Sequence, residues 1–212
     1  MAAGRGDEFE RLVDTICAEL AAAHRSRETG LAACRQVIRS CGSAIRAVHQ
    51  DRLDDVRTHT SEAKEALASA QTAMAPHPAV AHAGFLHDAE KEYAEALITV
   101  ALVAGSPVPS HTEVGVQGPA WLRGLAEAAS ELRRHLLDKL RAGDFDRAEE
   151  LLAAMDDAYA ALVRVDFPDA ITSGLRRTTD TLRAVLERTR GDLTITLVQA
   201  RLQAALESNL RQ

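Results

Sequence analysis

The sequence FERLVDTICAEL at residues 9–20 decides the fold class, because its apolar side chains recur three and four positions apart. This spacing places them on one face of an α-helix, whereas a strand would alternate apolar and polar residues. The residues on this face are Phe9, Leu12, Val13, Ile16 and Leu20. Beyond a candidate break at Gly30 the apolar face continues with Leu31, Cys34, Ile38, Cys41, Ile45 and Val48. The first quarter of the chain is therefore predicted to be helical.

Proline and glycine residues predict where the next helices end. We expect a second helix over about residues 54–74, because Pro76 and Pro78 cannot supply the backbone N–H that continuation needs. A third, strongly apolar helix is expected over about residues 80–103. The loop that follows contains glycine and proline and reaches about Gly118.

Capping residues define the helices after this loop. Pro119 suits the first turn of a fourth helix, which we expect to end at Gly143. Asp144 or Asp146 can cap a fifth helix that runs to about Val163.

The last part of the chain is predicted to form two more helices. After a turn at residues 166–169, Thr172 can cap a sixth helix, and Gly191 is expected to separate it from a seventh over about residues 192–210. No alternating strand pattern of useful length occurs in the sequence. We therefore predict an all-α fold, a single-domain bundle of about seven helices over residues 1–212.

The composition agrees with a soluble helical protein. Apolar residues make up 46% and charged residues 26%, while aromatic residues are only 3%, which favours helices packed through small side chains. No apolar run is long enough to span a membrane, and the first residues do not form a signal peptide. The three cysteines, Cys17, Cys34 and Cys41, are an odd number on apolar helical positions. They are expected to be free structural thiols in a cytoplasmic protein.

The distribution of arginine matters because the formal net charge is −6, which argues against a generic nucleic-acid binder. Arg35, Arg39 and Arg46 nevertheless fall within about 40° of one another around a helix, and His49 lies close to the same line. Such a row can follow a phosphate backbone, or it can pair with acids of a neighbouring helix. A second set of arginines comprises Arg176, Arg177, Arg183, Arg188 and Arg190.

Several separated stretches carry a resemblance to a known family. They are RQVIR and AIRAVH at residues 35–39 and 44–49, EYAEA at 92–96, WLRGLAEAASELRR at 121–134 leading to GDF at 143–145, and DFPD at 166–169 with ERTRGD at 187–192. Each stretch alone is weak evidence for a family. Their order and spacing over nearly the whole chain resemble the translin family, which includes translin and its nuclease partner, translin-associated factor X.

The resemblance implies a fold and a function. The family fold is a seven-helix bundle, and its members assemble into closed oligomers, for which eight subunits is a candidate number here. They bind single-stranded or short duplex nucleic acid, so RNA is the implied ligand, with single-stranded DNA as an alternative. The factor-X branch cuts RNA with acidic residues that hold a divalent metal ion. The resemblance implies no membrane partner.

Carried over to this chain, the catalytic and metal-binding carboxylates are Glu92, Glu95, Glu127 and Glu131. Spacings of three and four place each pair on one face of its helix, and the third and fourth helices can lie side by side. Carboxylate oxygens suit Mg²⁺ or Mn²⁺ as the cofactor. Such an ion polarises a phosphodiester and lowers the pKa of a bound water.

Alternatives remain open at this point. The chain has 31 acidic residues, so pairs three or four apart also arise by chance on solvated faces. The cleaving branch typically has aspartate where this chain has Glu127, and a segment like residues 129–132 also occurs in the non-cleaving branch. The leading hypothesis is a metal-dependent endoribonuclease. A non-catalytic nucleic-acid-binding oligomer and a helical scaffold are the other two. A di-iron site is disfavoured because the sequence contains no Glu-x-x-His.

Overall fold

The computed structural model describes residues 4–210, and within this range it contains helices and no strand. The helices are α1 (Arg5–His49), α2 (Leu53–Met74), α3 (Pro78–Ala81), α4 (Phe85–Ala104), α5 (His111–Val114), α6 (Gly118–Ala142), α7 (Phe145–Val163), α8 (Asp169–Thr172) and α9 (Leu175–Leu210). Six of these are long, and α3, α5 and α8 have four residues each. The predicted all-α fold class is confirmed.

Most predicted boundaries agree with the structure. Helix α2 ends at Met74, and α6 has Pro119 in its first turn and Gly143 after its last residue. The side chain of Asp144 accepts a hydrogen bond from the backbone N–H of Arg147, which makes Asp144 the cap of α7. These signals are local in the chain, and neighbouring helices do not override them.

Four predicted boundaries are wrong. Helix α1 runs through Gly30 without a break, and α9 runs through Gly191. The predicted third helix is divided, because Gly84 adopts a φ of 98° between α3 and α4. The Thr172 hydroxyl donates to the carbonyl of Pro168 at 3.3 Å within α8, so Thr172 does not cap the next helix.

Helices α4 and α6 form the centre of the bundle. One face of α4 packs against α1 and α2, and another packs against α6, which in turn contacts α7 and α9. The core between α1, α2 and α4 includes Cys41, Leu67 and Ile98. The core between α6, α7 and α9 includes Leu132 and Met155. The central pair is thus covered on both sides.

The two longest helices extend beyond this core. No residue of α1 before Gly30 is buried, and none of α9 after Leu193. The apolar side chains that open α1 are between 54% and 64% exposed, namely Phe9, Leu12, Val13, Ile16 and Leu20. A matching stripe on α9 comprises Ile195, Val198, Leu202, Leu206 and Leu210. All three cysteines are free thiols as predicted, but only Cys34 and Cys41 are buried in the core, whereas Cys17 is exposed.

Among residues 4–210, no helix combines the length and the apolar character needed to cross a membrane.

Candidate metal centre

A close crossing of α4 and α6 builds the candidate site. At Gly124 of α6, a Cβ atom would lie 2.8 Å from the Cβ of Ala94 and 2.9 Å from the backbone nitrogen of Glu95. Only a residue without a side chain fits this approach. Because Glu127 lies one turn after Gly124, the crossing brings its carboxylate against those of α4. The sequence prediction that these two helices lie side by side is confirmed.

Three of the four predicted carboxylates converge. Glu92, Glu95 and Glu127 each present an oxygen that lies within 4.8 Å of the other two. Two oxygens that bind one Mg²⁺ or Mn²⁺ at about 2.1 Å lie at most about 4.2 Å apart, so small side-chain rotations suffice to reach ligand distances. The donor set is entirely oxygen, which these hard cations prefer. The residues therefore fit a divalent ion.

A lysine that the sequence analysis did not single out lies in the middle of this cluster. The Lys91 ammonium donates to Oε1 of Glu92 at 2.7 Å and also to Oε2 of Glu127. Its side chain is only 9% exposed. One positive charge faces three carboxylates, so the cluster keeps an excess of negative charge. The position of Lys91 beside Glu92 was visible in the sequence, but the direction of its side chain was not.

The buried and negatively charged surroundings of Glu95 favour the protonated form of its carboxyl group. Burial raises the pKa of this carboxyl to about 8, and the carboxylates of Glu92 and Glu127 add to the increase, while Lys91 opposes it. Without another cation, Glu95 therefore holds a proton near neutral pH. A proton is one way to neutralise such a cluster, and a metal ion is another.

The fourth predicted carboxylate, Glu131, has a different partner. Its Oε1 lies 2.6 Å from Nε2 of His49, whose side chain is only 1% exposed. His49 was predicted to lie on the nucleic-acid surface, but its imidazole lies in the interior, because α1 packs against α4 and the imidazole reaches Glu131 of α6. Nδ1 of His49 is buried and has no hydrogen-bond partner among the described residues.

A cleft of about 580 Å³ lies beside the acidic cluster and reaches Glu131. Its lining includes Glu95, Glu127 and Glu131, together with Arg123 of α6 and Arg177 of α9. Arg123 lies 3.6 Å from Asp88, whereas Arg177 is exposed and forms no ion pair with a described carboxylate. Glu131 thus shares the cleft with the cluster although it contacts His49. Arg123 was not among the predicted site residues, although its spacing of four from Glu127 places both side chains on one face of α6.

The predicted arginine row is exposed along α1. Arg35, Arg39 and Arg46 all face solvent, and none of them forms an ion pair with a carboxylate of residues 4–210. Arg39 donates to Gln36 and Arg46 to Ser43, so both guanidinium groups keep free N–H donors. In the second set of arginines, Arg190 instead pairs with Asp156. The other four arginines of that set are exposed and form no ion pair with a described carboxylate, so both basic surfaces offer free guanidinium groups.

Comparison with known proteins supports the resemblance. No family model matches the chain. It is 29% identical to an uncharacterized protein of Methanocaldococcus jannaschii over 175 residues, which is 82% of this chain and 77% of that protein. It is also 29% identical to AfC3PO, whose crystal structure gives a TM-score of 0.75 with 94% of this chain and 100% of that chain covered.

Two further solved structures are similar to this protein. A complex of AfC3PO with duplex RNA gives a TM-score of 0.74 and covers 94% of this chain and 99% of that chain. The structure of apo-NeC3PO gives a TM-score of 0.77 over 87% of this chain and 96% of that chain, but at 17% identity it shows the fold alone.

The fold is that of a translin-like helical bundle of the C3PO type. The likeness extends along nearly the whole chain and includes the stretches that carry the sequence resemblance. In fold, and at 29% identity in sequence, this protein is similar to the translin-like C3PO structures.

Proposed function

We propose that this protein binds RNA, single-stranded or as a short duplex, and cleaves it as a divalent-metal-dependent endoribonuclease within a homo-oligomeric shell. The observation that carries the proposal is the convergence of Glu92, Glu95 and Glu127 at one edge of a cleft that also contains arginine. The complex of AfC3PO with duplex RNA supports the choice of ligand, since that protein is similar to this chain over 94% of its length.

The residues of the site have distinct roles in this proposal. Glu92, Glu95 and Glu127 would hold Mg²⁺ or Mn²⁺, which supplies polarisation of the phosphodiester and a water of lowered pKa. Arg123 and Arg177 line the cleft with cationic groups that bind phosphate oxygens. Glu131, which His49 fixes at the cleft wall, is a carboxylate that can accept the proton of the attacking water.

The arginine row on α1 extends the RNA surface away from the cleft. Arg35, Arg39 and Arg46 are exposed, and each guanidinium can donate two hydrogen bonds to one phosphate. Arg46 lies one turn before His49, whose imidazole contacts Glu131. The row and the cleft are therefore linked through the end of α1. Phosphate contacts of this kind position a nucleic acid without selecting its sequence.

Self-association follows from the exposed ends of α1 and α9. Their apolar stripes have no cover among residues 4–210. Large apolar patches of this kind usually mark an interface. A closed shell formed through these ends would cover the stripes, and it can concentrate arginine on its inner wall while acids face outward, which reconciles RNA binding with a net charge of −6.

One observation favours a second function, that of a non-catalytic RNA-binding oligomer. Lys91 already neutralises part of the acidic cluster through its contacts with Glu92 and Glu127. A permanent lysine bridge would leave these carboxylates as a structural ion-pair network. The arginine surfaces would remain able to bind RNA.

Cleavage of labelled RNA separates the two functions. The full-length protein is incubated with end-labelled single-stranded and duplex RNA in Mn²⁺, with and without EDTA. We expect cleavage that EDTA abolishes. Glu127→Gln should reduce the cleavage rate by at least about a hundredfold, because it removes a charged ligand, and should change RNA affinity by less than about twofold.

The matched control is Glu149→Gln, which removes an exposed carboxylate on α7 and should change neither property. RNA binding by the wild-type protein without any cleavage would establish the second function. Equal loss of binding and cleavage in Glu127→Gln would contradict the role proposed for Glu127.

A further inference from the structure

We propose that Lys91 is a built-in counter-ion that competes with the divalent metal for the acidic cluster, and so sets the metal concentration at which the site fills. This inference rests on the metal site proposed above and concerns its regulation. It assigns a function to the lysine ammonium that contacts two of the proposed metal ligands.

The contacts of Lys91 make it part of the cluster. Its ammonium bridges the two helices, since Glu92 belongs to α4 and Glu127 to α6. Its side chain is buried, and a buried ammonium is stable only when it is paired. Lys91 therefore holds two of the three carboxylates in place without any metal ion. The metal-free protein is thus expected to keep its fold.

Competition follows because the lysine and the metal interact with the same two carboxylates. Oε1 of Glu92 and Oε2 of Glu127 accept hydrogen bonds from Lys91, and both carboxylates are proposed metal ligands. An ammonium and a divalent ion a few ångströms apart also repel each other strongly in a partly buried site. The metal can bind fully only when the ammonium leaves. The flexible four-carbon stem of lysine allows this movement.

Replacement of Lys91 by an uncharged residue of similar size should therefore strengthen metal binding. We expect Lys91→Gln to bind Mn²⁺ at least about tenfold more tightly than the wild-type protein, because the metal no longer displaces a cation. A merely structural role for Lys91 predicts the opposite, since a loosened cluster would bind metal more weakly.

The affinity for Mn²⁺ is measured on the full-length protein by the loss of the free-ion electron paramagnetic resonance signal. Lys64→Gln is the matched control, because Lys64 is an exposed lysine on α2 and its replacement changes the net charge equally. We expect Lys64→Gln to match the wild-type affinity. Equal or weaker binding by folded Lys91→Gln would overturn the inference while leaving the metal site intact.

A second measurement uses the wild-type chain and does not depend on the folding of Lys91→Gln. The chain has three lysines, Lys64, Lys91 and Lys139, so ¹³Cε-lysine labelling gives a simple spectrum. The signals are assigned through Lys64→Gln and Lys139→Gln. Titration with diamagnetic Mg²⁺, with binding followed by calorimetry, should shift the Lys91 signal and leave that of Lys64 unchanged.

The outcomes distinguish this inference from the proposed function. If Mg²⁺ binds and the Lys91 signal does not move, the inference is wrong and the metal site stands. If neither the wild-type protein nor Lys91→Gln binds Mg²⁺ or Mn²⁺, the proposed metal-dependent function fails, and the inference fails with it.

Discussion

The protonation of Glu95 gives the metal-free protein a distinctive pH dependence. Burial and the carboxylates of Glu92 and Glu127 raise its pKa from 4.5 to about 8 in the folded chain. The folded state therefore holds a proton that the unfolded state has released, and the stability this contributes, fully present below about pH 4.5, is lost as the pH rises through about 8.

We expect the melting temperature of the protein in EDTA to fall between about pH 7 and pH 8.5, and to fall less in Glu95→Gln. This window lies above the ordinary pKa of histidine, and burial lowers the pKa values of the half-buried His87 and the buried His135, so neither adds a charge there. Glu149→Gln should keep the wild-type slope. An identical slope in Glu95→Gln would show that Glu95 does not carry the proton.

Residue spacing predicted part of this site and missed the rest for a clear reason. The sequence spacings of three and four residues between the glutamates determine which side chains share a helix face. Three of these four side chains converge in the structure. Spacing does not determine what lies opposite that face. The burial of His49 against Glu131 and the bridge from Lys91 to Glu127 both depend on how the helices pack.

At the scale of helices, the crossing at Gly124 positions the site. A Cβ there would lie 2.9 Å from the backbone nitrogen of Glu95 and 3.0 Å from the carbonyl oxygen of Lys91. Both are backbone atoms of α4, so they can move away only if α4 itself shifts. We expect Gly124→Ala to force α4 and α6 apart, to lower the free energy of unfolding by about 1–3 kcal/mol, and to weaken Mn²⁺ binding.

Thermal or urea unfolding and Mn²⁺ titration test this expectation. The matched control is Gly118→Ala in the same helix, where an added Cβ meets no atom within 4 Å. Wild-type stability and metal affinity in Gly124→Ala would mean that the close crossing does not position the carboxylates.

Glycines show how far helix boundaries can be predicted from sequence. Gly143 ends α6 with a φ of 76°, directly after the exposed residues Arg141 and Ala142. Gly191 lies inside α9, between the buried residues Leu186 and Leu193, whose packing outweighs a helix penalty of about 1 kcal/mol for glycine. The sequence shows both glycines, but only tertiary packing distinguishes the one that ends a helix.

For the whole molecule, the uncovered ends of α1 and α9 predict self-association. Leu12→Glu combined with Ile16→Glu places two charges in the apolar stripe of α1, where burial in an interface would be costly. We expect the double variant to shift to a smaller species in size-exclusion chromatography with light scattering, with unchanged helix content. Leu53→Glu, which alters an exposed leucine outside both stripes, is the control. An unchanged mass in the double variant would exclude the α1 stripe as an interface.

The overall charge makes RNA binding depend on where the arginines lie. A chain of net charge −6 repels a polyanion on average, so binding requires local release of counter-ions at a basic surface. Arg39→Glu combined with Arg46→Glu reverses two charges of the α1 row while leaving the acidic cluster intact. We expect this variant to lose at least about tenfold in RNA affinity and to show a shallower dependence of affinity on salt.

Filter-binding titrations at several salt concentrations measure both quantities, with the same labelled RNA for each protein. The control is Arg183→Glu combined with Arg188→Glu, which reverses two exposed charges on α9 and should reduce affinity less. RNA retention and salt dependence that remain at wild-type values in the Arg39 and Arg46 variant would remove α1 from the RNA surface. The cleft lined by Arg123 and Arg177 would then have to supply the phosphate contacts alone.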